Sequence, residues 1–282
     1  MKKGISIWSF AGGNLRDCFQ LAKKAGYDGV EVALAEEGEI SLSSTREDIL
    51  EVRRQADEAG IQLYSVASGL YWTYSLTSND KQTREKAEAI VRKQLDIASW
   101  LGCDTILVIP GGVGMNVGDS TEIVPYDIAY ERSLSALKRL APYAESVNVS
   151  IGLENVWNKF LLSPLEMRDF IDSINSEYVG AYFDVGNVLY SGYPEQWIDI
   201  LNKRILKVHF KDYRISCGGL DGFVDLLAGD VDYPAVMNAF QRVGYDGWVT
   251  GEMLPPYKHF PEALLYTTSI AMNHILGRKS QC

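Results

Sequence analysis

The sequence predicts an α/β protein folded as a single closed (β/α)8 barrel over residues 1–282, and three observations carry this. First, an amphipathic helical run ends on a glycine, a short gap follows, and an apolar run begins. This happens in "LAKKAGYDGVEVAL", "RRQADEAGIQLYSV", "LDIASWLGCDTILVI" and "AFQRVGYDGWVTGE". Second, extending that pattern gives eight strand candidates in strict alternation with helices, which implies a parallel sheet with right-handed crossovers. Third, eight such units fill 282 residues, close to the roughly 250 of a typical eight-fold barrel. The runner-up, a doubly wound open sheet, needs a GxGxxG phosphate turn after an early strand, and the chain has none.

The elements follow in order. The first strand is placed at 4–9 and the first helix near 14–25, closed by Gly26. Glycine takes the left-handed conformation of a helix C-terminus without steric cost. Strand 29–34 leads to a helix at 45–59, where Ser44 and Glu47 fit a capping box and Gly60 marks the end. Strand 62–67 and helix 81–101 come next, the helix ending at Gly102. Strand 104–109 runs into "IPGGVG", whose glycine spacing fits a turn at a strand end better than a phosphate cradle. A helix near 126–146 precedes strand 149–154. The helix near 164–174 starts with Ser163 and Glu166 as a second capping box and Pro164 in its first turn. Strand 179–184, a helix near 194–202 and strand 205–210 lead to a long connection at 213–231, expected to fold over the barrel mouth as a lid. The helix at 233–243 ends on Gly244, and strand 248–252 follows. A last helix near 261–276 begins at Pro261 and leaves "GRKSQC" as a short solvated tail.

Bulk properties exclude several function classes. The net charge of −10 argues against nucleic acid as a partner, because a phosphate backbone requires basic surface, and against anionic membranes. No apolar run approaches the roughly 18 residues of a membrane span, and the N-terminus lacks the core and cleavage site of a signal peptide. Four scattered cysteines without a CxxC pair suit free thiols in a cytoplasmic chain.

Chemistry in such a barrel sits at the C-terminal ends of the strands. There, "VSIGLEN" ends on Glu154, "VGAYFDVGN" carries Asp184, "ILKVHFKD" carries His209, and "WVTGEM" ends on Glu252. Neighbouring strands lie about 4.8 Å apart, so four such side chains can converge at the mouth. Bare, they would repel one another and resist burial. A divalent cation resolves this, and three oxygens with one nitrogen suit Mn²⁺, preferred, or Mg²⁺, Co²⁺ or Zn²⁺, one ion per chain. A lone strand-end acid is ordinarily a helix cap, and a lone strand histidine a satisfied core residue; four at matching depth on successive strands point to a metal site. Lys211 follows His209 by two positions and should face the mouth with it, to meet a substrate hydroxyl, an oxyanion or a phosphate. The bland alternative for Lys211 is a pair with a helix acid. Arg214 is a weaker anion contact. Asn155, Trp157 and Asn187 cluster near the rim as substrate contacts, with Trp8 as a further aromatic. Glu31 is read as a barrel-interior acid or partner of a ligand, not a ligand itself. His259 and His274 read as structural.

The stretches "LEN", "YFDVGN", "KVHFKD" and "GDVDYPAVMNAF…GYDGWVTGEM" resemble the sugar-phosphate isomerase/epimerase group of xylose-isomerase-like TIM barrels, nearest the L-ribulose-5-phosphate 3-epimerase and hexulose-6-phosphate isomerase types. The resemblance covers essentially the whole chain and is densest over 150–255. It implies Glu154, Asp184, His209 and Glu252 as metal ligands and Glu154 and Glu252 as the acid/base pair. It also implies a homodimer or homotetramer. Tagatose-type epimerases carry a histidine three residues after the aspartate ligand, where this chain has Asn187.

The chemistry of such a site is proton transfer beside a ketone. A metal polarises the carbonyl and stabilises the enediolate, while two carboxylates on opposite faces remove and return a proton. The expected function is therefore an epimerase or isomerase of a ketose or ketose phosphate. The alternative is a dehydratase of a keto-polyol such as a keto-inositol. A DNA-repair phosphodiesterase would need a histidine-rich zinc cluster and a basic groove, against three histidines and a charge of −10. A barrel that binds sugar without turnover is the remaining alternative.

Overall fold

A computed structural model describes residues 1–114 and 122–278; the far end of the expected solvated tail lies outside them. Eight strands close into one parallel barrel in the order β1-β10-β7-β6-β5-β4-β3-β2. They are β1 (Lys2–Ser6), β2 (Gly29–Leu34), β3 (Gln62–Ser68), β4 (Thr105–Val108), β5 (Ser150–Glu154), β6 (Val179–Asp184), β7 (Ile205–Phe210) and β10 (Trp248–Gly251). Two short strands, β8 (Asp212–Tyr213) and β9 (Phe223–Val224), form an antiparallel hairpin outside the barrel. The helices are α1 (Leu15–Lys24), α2 (Arg46–Ala59), α3 (Lys81–Leu101), α4 (Tyr126–Val147), α5 (Pro164–Ile174), α6 (Val185–Leu189), α7 (Pro194–Leu201), α8 (Tyr233–Val243) and α9 (Glu262–Ile275).

The glycine punctuation is what the chain uses. Gly60, Gly102 and Gly244 close α2, α3 and α8 in the left-handed region, at φ 68°, 80° and 71°. Asn148 and Asn175 do the same work after α4 and α5, since asparagine tolerates that region best after glycine. That substitution explains why the glycine signal appears in four units and not in all. The N-termini differ from the expected pattern in detail. Thr45 with Asp48, not Ser44 with Glu47, forms the capping box of α2, and Ser44 Oγ instead accepts from the backbone of Ser41. Ser163 caps α5, but the Glu166 carboxylate returns to Leu162 N and not to Ser163, so the second box is open. Pro261 stands at the cap of α9 and not inside its first turn.

The first strand stops at Ser6, three residues short of expectation, because Ser6 caps a 3₁₀ turn over Ile7–Ser9. Trp8 is thereby turned onto Ala67, Leu107 and Tyr182, a small apolar layer distinct from the main core. The main core lies between barrel and helices, with residues such as Phe19, Ile106, Leu137, Phe170 and Phe240 at most 1% exposed. The long connection is anchored and not loose. Asp212, 1% exposed, accepts backbone N–H groups from Tyr213, Leu227, Gly229 and Val231 at 2.8, 2.9, 3.1 and 3.2 Å.

Candidate metal centre and active site

Four barrel strands, adjacent around the barrel, deliver the residues singled out from the sequence. β5 and β6 end on Glu154 and Asp184, β7 carries His209 next to its end, and Glu252 follows β10 directly. Register sets His209 level with Asp184 on one side and Thr250 on the other. All four are buried, Asp184 and His209 completely. One ligand-type atom from each lies within 4.8 Å of the others. His209 Nδ1 is 3.2 Å from Glu252 Oε2, 3.5 Å from Glu154 Oε1 and 3.8 Å from Asp184 Oδ2.

The donor set fits a divalent cation. Asp184 Oδ2, Glu252 Oε2 and His209 Nδ1 are buried without a hydrogen bond among the described residues. Buried polar atoms without hydrogen bonds are costly and rare, and here three face one point, two of them met only by the Lys211 ammonium. A hard or borderline cation satisfies them together, through three carboxylates and one imidazole. Lys211 also reaches this point. Its ammonium is 2.9 Å from Asp184 Oδ2 and forms an ion pair with Glu252 Oε2. It therefore faces the mouth beside His209, pairing with the acids of the cluster and not with a helix acid.

The charges shape one another. Burial pushes Glu154 up to about 7, against the nearby His209 imidazole and the charge of Lys211. Burial would also raise Glu252, but the Lys211 ammonium and the His209 imidazole outweigh it and hold Glu252 well below the usual carboxylate range. For His209 and Lys211, burial disfavours the charged form, yet the surrounding carboxylates prevail and raise both well above their ordinary values. Two glutamates in one cluster thus differ in their hold on a proton.

The neighbouring amides turn out to serve the protein's own backbone. Asn155 donates to the Asp184 carbonyl at 2.8 Å and accepts from the Asp184 N–H at 2.9 Å. Asn187 donates through its side chain to the Asn155 carbonyl at 2.9 Å, and its N–H caps onto Asp184 Oδ1 at 2.8 Å. They hold the Asp184 loop in place beside the cluster. Trp157 donates its indole N–H to the Asn187 carbonyl at 2.7 Å and packs against Tyr190, Tyr213 and Phe223. Phe223 lies under Lys211, 5.9 Å from ammonium to ring centroid. Phe223 of the 213–231 connection thus lies beside the cluster. Arg214 is exposed and donates to the Ala228 carbonyl at 2.6 Å within its own loop. His259 and His274 are exposed on the last loop and helix.

The sequence did not reveal how Glu31 is partnered. Completely buried on β2, it lies 3.0 Å from His209 Nε2 and accepts the hydroxyl of Tyr182. Tyr182 precedes Asp184 by two on β6, so alternation points both into the barrel; that spacing was the available signal.

The match to known proteins agrees with this geometry. Residues 19–272 match the family described as Xylose isomerase-like TIM barrel. The chain belongs to that family. It is 23% identical over 239 residues to the L-ribulose-5-phosphate 3-epimerase of Escherichia coli strain SMS-3-5, covering 81% of this chain and 78% of the relative. It is 26% identical over 191 residues to the inosose dehydratase of Lacticaseibacillus casei, covering 60% and 63%. A solved L-ribulose 3-epimerase superposes with a TM-score of 0.81 at 18% identity, over 98% of this chain and 94% of that one. Among the described residues, no helix is long and apolar enough to cross a membrane.

Proposed function

We propose that the chain is a divalent-metal-dependent epimerase or isomerase of a ketose or ketose phosphate, with Mn²⁺ as the preferred ion. The observation that carries this is the buried cluster of Glu154, Asp184, His209 and Glu252 at the barrel mouth, with three of its atoms making no hydrogen bond. These four residues would hold the ion, which when bound supplies Lewis-acid polarisation of a sugar carbonyl and its neighbouring hydroxyl.

The remaining chemistry belongs to the chain. Glu154 and Glu252 divide the transfer, one carboxylate taking the proton from the carbon next to the ketone and the other returning one to the opposite face. The reverse reaction exchanges the roles. One proton leaves carbon and one arrives, so mass is conserved and the centre inverts. Asp184 and His209 hold the ion without entering the transfer. Lys211 offers its ammonium to a substrate oxygen. Trp157 and Phe223 line the approach, and Asn155 and Asn187 keep Asp184 in place. The partner is a small sugar and not nucleic acid, in keeping with the net charge of −10. A cytoplasmic homo-oligomer completes the reading.

The test is a panel of ketoses and ketose phosphates incubated in D₂O with Mn²⁺. Deuterium should appear at one carbon of a substrate together with its epimer or isomer. Loss of water from a keto-inositol would move the assignment to the dehydratase. No exchange on any member would refute both.

A further inference from the structure

We infer that Glu31, held by Tyr182, is the positioning residue that fixes the tautomer of His209 and aims its Nδ1 at a divalent cation. The inference rests on the metal-site reading above and not on the reaction assigned to it. Without an ion the surrounding carboxylates favour a charged ring, but a ligating imidazole is neutral, with one nitrogen giving its lone pair to the ion and the other keeping its N–H. A carboxylate only accepts, so the 3.0 Å contact between His209 Nε2 and Glu31 Oε1 puts the ring proton on Nε2. The lone pair then falls on Nδ1, the atom that faces Glu154, Asp184 and Glu252 without a hydrogen bond of its own. With the opposite tautomer, Glu31 would meet a lone pair and the cluster would meet an N–H.

The support for Glu31 comes from across the barrel. Its second oxygen accepts the Tyr182 hydroxyl, which also lies 3.2 Å from Ser65 Oγ. Ser65 stands beside Glu31 in the β2–β3 register, which brings its hydroxyl to Tyr182. Tyr182 additionally sets its ring edge against the imidazole, at a centroid distance of 4.8 Å and an interplanar angle of 69°. Glu31, Ser65, Tyr182 and His209 are all 0% exposed, so no solvent competes for these bonds. A carboxylate partner on the far nitrogen orients a ligating imidazole and raises its basicity, and losing such a partner costs roughly 10 to 100-fold in metal affinity.

The test uses the full chain stripped of metal. Wild type, Glu31→Gln, Glu31→Met and Tyr182→Phe are titrated with Mn²⁺ by calorimetry. Wild type is also examined by ¹⁵N NMR of labelled histidine with Zn²⁺. Glu31→Met should lose roughly 10 to 100-fold in affinity. Glu31→Gln keeps an acceptor oxygen of the same shape and should recover much of it, and Tyr182→Phe should lose less than Glu31→Met. The His209 spectrum of wild type should show a protonated Nε2 and a metal-shifted Nδ1. If Glu31→Met does not fold, the wild-type spectrum and Glu31→Gln decide. A protonated Nδ1, or a folded Glu31→Met with affinity unchanged, overturns the inference alone. Wild type that binds no divalent cation overturns the metal site together with it.

Discussion

The anchoring of the 213–231 segment by one carboxylate yields a quantitative expectation for Asp212→Asn. Asp212 Oδ1 accepts from Tyr213 and Val231, and Oδ2 from Leu227 and Gly229. Asparagine keeps one acceptor and turns an NH₂ toward the other two N–H groups. A stranded buried donor costs about 1–3 kcal/mol; the bonds to Leu227, Gly229 and Val231 are only part-buried, so the low end applies to each. Two lost bonds give about 2 kcal/mol, or roughly 30-fold in the population of the open loop. Arg214 is the one basic residue between 213 and 231 and is exposed, which makes trypsin a direct reporter. Cleavage after Arg214 under native conditions should accelerate roughly 30-fold in Asp212→Asn while the melting of the barrel changes far less. Hydrogen exchange at Leu227, Gly229 and Val231 should rise in parallel. An unchanged cleavage rate in a folded mutant would show that the hairpin β8–β9 holds the loop without Asp212. Gly229→Ala should mimic the effect, because an added Cβ overlaps Asp212 Oδ1.

Other expectations concern the cluster. His209→Ala should abolish or greatly weaken Mn²⁺ binding while circular dichroism remains that of the barrel; native metal content would refute the ligand assignment. Glu154→Gln and Glu252→Gln should each lose on the order of 10² to 10⁴-fold in turnover with metal still bound, and near-full epimerisation in either would dismiss the two-base reading. In the metal-free chain, burial raises Glu154 from 4.5 to about 7. A raised carboxyl favours folding most below its unfolded value, so metal-free stability should fall between pH 4.5 and 7 by up to about 3 kcal/mol through this group. Urea titrations of wild type and Glu154→Gln at the two ends of that range measure it, and equal slopes would refute it. Apparent Mn²⁺ affinity should rise with pH through the same region, since ligands bind deprotonated; a flat profile from about pH 6 to 8 would count against that competition. Gly186→Ala would bring a Cβ to 2.6 Å from Lys211 Cβ, and should cost about 1–3 kcal/mol of stability, read as a lower melting temperature; an unchanged melt would show that the loop yields.

Much of the barrel was legible because alternation of apolar strand and amphipathic helix is a local signal repeated eight times. So was the cluster: a polar residue closing an apolar strand stands out in one dimension. Element ends were less legible where two neighbours compete for one task. Ser44 and Thr45 could both cap α2, with Glu47 and Asp48 both in reach, and only the backbone geometry chooses Thr45 and Asp48. The five-residue α6 is too short to show a helical period. Contacts across the barrel were not legible, because they depend on register between distant strands. Glu31 and His209 are 178 residues apart, and nothing local links them. Asn155 and Asn187 looked like sugar contacts because rim amides often are. Backbone groups at strand ends need partners too, and these amides supply them. Arg214 likewise donates to a carbonyl of its own loop, a contact the sequence does not display.

The bond between Glu31 and His209 bears on how this barrel can be recombined. Eight similar units invite exchange of quarter- or half-barrels among relatives, and all four residues proposed as ligands come from the second half of the chain. A chimera that kept 150–282 and imported the first half would therefore look complete by inspection of its ligands. Yet the imidazole of β7 answers to a carboxylate on β2 and a phenol on β6. Exchange of the connections after β3 or β4 leaves that cross-brace intact, whereas exchange of β2 severs it. For grafting and directed evolution, β2, β6 and β7 form one inheritable unit, although they are scattered through the sequence.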